Sequence, residues 1–396
     1  MNAWAPPVSP RCAPLRPTAV NSILAEVRAL AARGHSAISL MRGEPDFKTP
    51  RHISDAAANA LRNGRTSYPD NRGEMTLREA VAAKLKRDNS LVYDPGAEIL
   101  VTTGATFGIH AVLTTLLNEG DDVLLPDPVY DAYQSPIRLA GGQPRPVRST
   151  IENGRFTLPV DALDAAVTPA TRALLLNTPW NPTGTVFTAP ELEAIGEFVL
   201  RHDLVLISDE IYEAITYDGH RHISPASLSK ELRSRTVIVN SLSKTYAMTG
   251  WRVGYTAAPK ALTDPMFLVL QQSSRGPATF IQDAAAFALA GPQRAVGDMR
   301  DEYAARRAQV IETLGRVPRV KVLAPEGGFF AMLDVRAIGL PSNDIRRRLL
   351  QDAGVVVVHG SAYGEGGEGT LRVSFASGGD TLAKGLERLR EGLSQL

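Results

Sequence analysis

Short apolar runs recur along the chain: "EILVTT" at 98–103, "DVLLP" at 122–126, "RALLLN" at 172–177, "DLVLIS" at 203–208 and "TVIVN" at 236–240. Each is rich in Val, Ile or Leu, and none alternates polar with apolar residues. Runs of this kind predict strands covered on both faces. Between most of them the spacing turns helical, as in "TFGIHAVLTTLLNEG" and "APELEAIGEFVLRHD". Alternation of strand and helix predicts an α/β fold, a mainly parallel central sheet flanked by helices. After about residue 290 the texture changes. A long charged helical pattern, "MRDEYAARRAQVIETLGRV", precedes "GGFFAMLDV", "IRRRLLQDAG", "VVVVHG" and "LRVSFA". That order predicts a smaller α+β domain, joined by the helical "VNSILAEVRALAARG" near the start. No internal repeat stands out, and the glycine cluster at 364–369 is the one low-complexity tract.

Polar residues collect just after the predicted strands, where open α/β sheets bind ligands. The first is followed by Gly104-Ala105-Thr106, the second by Tyr130 and Tyr133, and the third by Trp180 and Asn181. The fourth is followed by Asp209 and Tyr212, and the fifth by Ser241, Ser243 and Lys244, with Arg252 eight residues past the lysine. Amides at a helix start favour an anion. Ser241, Ser243 and the planar fork of Arg252 complete a phosphate cup. Tyr130 suits stacking on a flat ring, Asp209 suits a protonated ring nitrogen, and Asn181 and Tyr212 suit a ring oxygen. Lys244 suits an imine with an aldehyde. An aldehyde on a ring that also bears phosphate, hydroxyl and basic nitrogen is pyridoxal 5′-phosphate.

Composition narrows the field. The 396 residues carry 43 Lys and Arg against 42 Asp and Glu, a net charge of +1. No global field favours nucleic acid or membrane. A single cysteine, Cys12, excludes an internal disulfide and a cysteine zinc cage, and it fits a reducing compartment. The Pro-rich start "MNAWAPPVSPRCAPLRPTAV" lacks the apolar stretch of a secretory signal, and no apolar run reaches spanning length. The expected location is the cytoplasm.

The motifs "LRPTAV", "GEPDF", "TSYPDNRG", "NPTG", "SDEIYE", "SLSKTYAMTGWRVGY" and "LRVSFA" occur in this order. Together they resemble fold-type I, class I/II aminotransferases, near the aspartate aminotransferase group, over nearly the whole chain. The resemblance implies the pyridoxal-phosphate-dependent transferase fold. It implies an arm (1–17), a small domain (18–47 and 291–396) and a large cofactor domain (48–290). Lys244 would carry the imine and shuttle a proton, Asp209 would pair with the ring nitrogen, and Asn181 and Tyr212 would bind the ring oxygen. Tyr130 would stack, and Ala105, Thr106, Ser241, Ser243 and Arg252 would hold phosphate. Tyr68 would reach the partner's phosphate in a homodimer with shared sites. Arg372, helped by Gly43 and Asn181, would clamp the substrate α-carboxylate. The implied reaction is ping-pong transfer of an amino group from an L-amino acid to a 2-oxo acid, with no metal.

Two departures bear on substrate. Some members have "GGKQA" where this chain has "GATFG", so a lysine that serves acidic substrates is replaced by Thr106. Trp180 also stands where many members carry a small or amide residue, and Phe107 and Trp180 are expected to add apolar surface nearby. That predicts a broad, neutral or aromatic donor preference, unless Arg275 of a partner supplies the missing cation; a plain surface arginine is the simpler reading. Tyr133 reads as packing. The GxGxxG of Gly364, Gly366 and Gly369 is flanked by Glu365 and Glu368 and precedes a strand, so a flexible loop is expected there. His220 and His222 lack a carboxylate set nearby in sequence, and Arg346-Arg347-Arg348 reads as a solvated helix face. No G-x-S-x-G supports a serine hydrolase. The competing readings are another fold-type I enzyme (β-lyase, decarboxylase or oxidase) and a non-catalytic cofactor-binding regulator. "AMTGWRVG" resembles transaminases more than lyases, and a fused DNA-binding domain has no room before residue 20.

Overall fold

A computed structural model describes residues 8–396. Its largest sheet has seven strands: β1 Ile99–Thr102, β2 Asp122–Asp127, β3 Gln143–Arg148, β4 Thr171–Asn177, β5 Val205–Asp209, β6 Thr236–Ser241 and β7 Gly254–Ala257. Their order is β1-β7-β6-β5-β4-β2-β3. The pairs among β3, β2, β4, β5 and β6 are parallel, and β7 runs antiparallel to both β1 and β6. The five apolar runs all become strands of this sheet. Val237, Ile238 and Val239 are fully buried; removing such side chains from water is worth about 1.5–3 kcal/mol each. Two strands were not foreseen. β3 carries two prolines and is confined to the sheet edge, where a missing donor is tolerated. β7 is four residues containing Gly254 and Thr256, too short and too mixed to show a period.

Helices cover both faces. Those used below are α1 Ala19–Ala31, α2 Arg51–Arg62, α3 Met75–Asn89, α4 Ala105–Leu116, α5 Ala189–Arg201, α6 Leu242–Thr245, α7 Lys260–Ser273, α8 Thr279–Ala290, α9 Arg294–Leu314, α10 Ser342–Asp352 and α11 Gly379–Ser394. Helix α5 shows why the sequence starts a helix where it does. Thr188 accepts from the Glu191 amide and Glu191 returns a bond to Thr188, a capping box worth about 1 kcal/mol.

A second sheet follows, β8 Lys321–Leu323, β9 Phe330–Asp334, β10 Val358–His359 and β11 Thr370–Ser374, in the antiparallel order β8-β9-β11-β10. The apolar run 355–360 splits between two sheets. Val355–Val356 pairs with Ile38–Ser39, and Val358–His359 pairs with β11. One core joins Tyr303, Leu314, Phe329, Leu333, Leu371 and Leu389 from this half with Leu40 from the N-terminal segment.

Three local expectations are corrected. Arg346 is not solvated; it is buried and donates to Glu26 on α1 at 2.7 Å, while Arg347 and Arg348 are exposed. Position 346 falls between Ile345 and Leu349 on the inward face of α10. The glycine cluster is not a loose loop but two tight 3-10 turns, 360–363 and 365–367, seated on Asp127. The Gly366 amide donates to Asp127 at 3.0 Å, and a Cβ at Gly364 would stand 2.1 Å from the same carboxylate. The expected arm, 1–17, lies partly outside the described residues; Pro10–Cys12 forms one 3-10 turn. Among the described residues no helix is long and apolar enough to cross a membrane.

Candidate active site

Because β2, β4, β5 and β6 are parallel, their carboxyl ends open on one side. With the turn after β1 they border one cavity of about 1150 Å³, closed from the other side by residues around Gly43 and by β9 and β11. The cavity collects Ala105, Thr106, Tyr130, Asn181, Asp209 and Tyr212. It also collects Ser241, Ser243, Lys244, Arg252, Gly43 and Arg372. Of the expected site residues, only Tyr68 lies elsewhere.

The end of this cavity at α4 is built for an anion. Gly104 precedes the helix at φ +81, a conformation that costs other residues strain. A Cβ there would stand 2.7 Å from Arg252 Nη2, so a side chain would fill the cleft between helix start and guanidinium. At this helix start the Ala105 and Thr106 amides precede the first bond of the helix, Phe107 N–H to the Gly104 carbonyl at 3.2 Å, so they remain available to a ligand. Ser241 Oγ accepts from the Ser243 amide at 3.0 Å, which turns α6 back over the same opening. Arg252 Nη1 donates to the Thr249 carbonyl at 2.9 Å.

Lys244 sits on α6, and its Nζ donates to the Gly43 carbonyl at 2.6 Å. Burial lowers its pKa to about 8; Glu44 opposes the shift, and Arg252 adds to it. About a tenth of the amine is therefore unprotonated at pH 7, far more than for an ordinary lysine. Asp209 ends β5, buried. Burial pushes its carboxyl up to about 7, against the pull of two donors, the Tyr133 hydroxyl at 2.6 Å and the Ile211 amide at 3.2 Å. A cation placed beside Asp209 would reverse that shift.

Arg372, on β11, is almost wholly buried at 2 % exposure. Its Nη1 donates to Asn181 Oδ1 at 3.2 Å and its Nη2 to the Met41 carbonyl at 3.4 Å. Its Nε has no partner. A buried guanidinium N–H left unpaired is costly, so the fork suits an incoming carboxylate. The rings of Phe330 and Tyr363, 4.1 and 4.8 Å from the guanidinium carbon, hold its plane. Phosphate-sized cleft, buried carboxylate, low-pKa amine and open guanidinium are the donor set that pyridoxal phosphate and an amino acid require, and the residues fit the group.

Sequence reading missed two supports. Tyr133, taken as packing, is the hydroxyl that holds Asp209. Asn177 donates to the Asp209 carbonyl at 2.9 Å and accepts the Asn181 amide at 2.7 Å, so it ties the ends of β4 and β5 together. Its place as the last residue of "RALLLN" was the available signal. Two other expectations are overturned. Trp180 does not face the cavity; it is buried against Phe187, with ring centroids 5.6 Å apart, and donates to the Pro128 carbonyl at 2.9 Å. Phe107 packs toward His110 and the core under α4 rather than lining the cavity. The apolar lining comes instead from Val20, Leu24, Ile38, Met41, Ile109 and Pro136. His222 does have carboxylates near it: Nε2 lies 3.0 Å from Glu210, and possible ligand atoms of Glu210, Glu213 and His222 fall within 4.8 Å of one another.

Tyr68 is 82 % exposed, and the Arg275 guanidinium lies 4.9 Å from its ring. The two therefore form one outward-facing unit.

Comparison with known proteins shows the family. A family model described as aminotransferase class I and II matches residues 36–389. The chain is 43 % identical to an aromatic-amino-acid aminotransferase of Thermococcus litoralis, covering 90 % of this chain and 92 % of the relative. It is 38 % identical to an aspartate aminotransferase of Geobacillus stearothermophilus, covering 96 % and 97 %. The solved structure of an aspartate aminotransferase from Rhizobium meliloti superposes over the full length of both chains with a TM-score of 0.95 at 33 % identity.

Proposed function

This chain belongs to the class I and II aminotransferases, and from that premise we propose how its own residues carry out the transfer and which donors it takes. It is a pyridoxal-phosphate-dependent transaminase. When bound, pyridoxal 5′-phosphate supplies an aldehyde that takes up an amino group and a ring that accepts the electron pair freed when the Cα–H bond breaks.

The first amides of α4 at Ala105 and Thr106, with Ser241, Ser243 and Arg252, bind the phosphate. Asp209, held by Tyr133, keeps a proton on the ring nitrogen by pairing with it. Asn181 and Tyr212 orient the ring oxygen, and Tyr130 covers the ring face. Arg372 takes the substrate α-carboxylate in its fork, with Gly43 and Asn181 beside it. Lys244 would supply the amine that holds the aldehyde, and the same amine, when free, would move the proton at substrate Cα. The single observation that carries this reading is the meeting of Lys244, Asp209 and Arg372 in one cavity.

The large domain is 48–290. The small domain is 18–47 with 291–396, a division supported by the pairing of Ile38–Ser39 with Val355–Val356 and by the Glu26–Arg346 bond. The enzyme acts as a homodimer with shared sites, a reading supported by Tyr68, which is exposed and outside its own cavity. A cytoplasmic location fits the single, exposed Cys12. Mixing wild type with a Tyr68→Phe/Lys244→Ala double variant tests the sharing. In the heterodimer the one competent lysine site lacks the partner's phenol, and its cofactor affinity is expected to drop about tenfold. Affinity equal to wild type at that site counts against sharing.

Donor choice follows from the lining. Thr106 borders the cavity where some relatives carry lysine, Arg42 is paired with Glu44 at 3.3 Å, and Val20, Leu24, Ile38 and Met41 give part of the wall an apolar surface. A second carboxylate would be desolvated without a cation. Neutral and aromatic donors are therefore preferred over aspartate. The check is a panel of amino donors against 2-oxoglutarate and pyruvate, for wild type and Arg275→Ala. An aspartate lead above about tenfold in kcat/KM, ~1.4 kcal/mol, defeats the neutral-donor reading. If that lead also vanishes in Arg275→Ala, Arg275 of the partner is the side-chain reader.

A further inference from the structure

Behind the Lys244 turn, on the side away from the active-site cavity, a second cavity of about 430 Å³ is walled in part by Leu242 and Thr245. Among its lining residues are Lys84, Asn89, Glu213 and Asn240. The Lys84 and Glu213 side chains are only 8 % and 10 % exposed, and they form an ion pair. Three donors converge on the Glu213 carboxylate. Lys84 and Asn240 reach Oε1, the latter at 2.7 Å, and Asn89 reaches Oε2 at 3.0 Å. Lys84 also donates to Asn89 Oδ1 at 2.8 Å. An ammonium thus already occupies the cationic position beside Glu213, so this cluster is a closed hydrogen-bond network rather than a metal site.

The partners come from different parts of the fold. Lys84 and Asn89 stand on the last turns of α3. Glu213 is four residues past Asp209, on the turn that also carries Tyr212. Asn240 is the penultimate residue of β6, and its other amide atom, Oδ1, accepts the Ser241 amide at 2.7 Å. Ser241 in turn accepts from Ser243, one residue before Lys244. Glu213 fixes which way the Asn240 amide points, because the donor end is held by the carboxylate. The acceptor end is then locked onto the Ser241 N–H. A buried ion pair is weak evidence for stability, since desolvation offsets much of its attraction. What this one does provide is a defined orientation at the point where β6 becomes the Lys244 turn.

We infer that Glu213, braced by Lys84 and Asn89, is a positioning residue that acts through Asn240 to set the Ser241–Lys244 turn for phosphate binding. The inference rests on the phosphate cup proposed above. The link runs from α3, through the segment that carries Asp209 and Tyr212, to the segment that carries Ser241 and Lys244. Two walls of the active site are thereby held in register by groups that touch neither substrate nor cofactor.

The test uses the full-length apoprotein titrated with pyridoxal 5′-phosphate and, separately, with inorganic phosphate, beside thermal unfolding of each variant. Asn240→Ala breaks the relay and leaves the ion pair. Lys84→Met/Glu213→Leu removes both charges at once, so neither is left buried alone. Each is expected to weaken both ligands about tenfold or more while the apoprotein unfolds within about 3 °C of wild type. The triple variant is expected to lose no more than the weaker of the two. Binding of both ligands within about twofold of wild type in either variant overturns the inference, as does a loss in the triple variant equal to the sum. If one variant does not fold, the other decides. Ser241→Ala separates the two readings: near-normal phosphate affinity there defeats the cup itself, whereas a loss there with none in Asn240→Ala defeats the positioning alone.

Discussion

Lys244→Ala is expected to abolish transamination, lowering the amino-donor half-reaction by at least about 10³-fold. Loss of a positioned proton-transfer group alone accounts for 10²–10⁴, and here the same amine also engages the cofactor. Its position explains both duties. The amine is buried enough to titrate near 8 and is held against the Gly43 carbonyl, at the opening bordered by Ser241 and Arg252. The variant is still expected to bind cofactor through the phosphate and ring contacts. Its visible spectrum should resemble free pyridoxal phosphate, and borohydride should fix no cofactor to the protein. A reduced adduct that maps to another lysine would show that the assignment is wrong.

Asp209→Asn is the second large effect. The amide cannot pair with a protonated ring nitrogen, so the ring accepts electrons less well, and Cα proton removal is expected to slow by well over about tenfold, ~1.4 kcal/mol. Single-turnover rates near wild type would defeat the idea. The apoprotein offers an independent readout. In the folded chain the Asp209 carboxyl holds its proton up to about pH 7, against an ordinary value of 3.8. The folded state therefore binds the proton more tightly than the unfolded chain. Stability from this source is full below about pH 4 and is lost as pH rises to about 7. Three pKa units correspond to ~4 kcal/mol at most. Asp209→Asn should lack that slope. An identical pH profile of melting in the two proteins would show that Asp209 is not the buried acid described here.

The fold was legible where burial leaves a pattern. The five apolar runs became five strands because a sheet covered on both faces demands continuous Val, Ile and Leu. β3 and β7 were not legible, one carrying prolines at an edge and the other mixing Gly254 and Thr256 into a run too short to show a period. The strand-end residues were legible because a parallel sheet places every strand's carboxyl end on one side, so position along the chain became position in space; Gly43 and Arg372, outside that sheet, came from the resemblance alone. What supports them was not. The bond from Tyr133 to Asp209 joins β2's end to β5's, and the bonds from Lys84 and Asn240 to Glu213 join three segments; such pairings depend on how strands are ordered, which periodicity does not encode. Trp180 and Phe107 failed for a related reason. Each sits one residue from a cavity-lining neighbour, and in a turn or a helix one residue is enough to face the opposite way.

The most direct measurement is a reaction of the holoenzyme with a neutral or aromatic amino acid alone, followed by addition of a 2-oxo acid. The account predicts one equivalent of the donor's 2-oxo acid per Lys244 site, then arrest, then resumed turnover when acceptor is added. Continued turnover without acceptor, with steady release of ammonia or carbon dioxide, would contradict it.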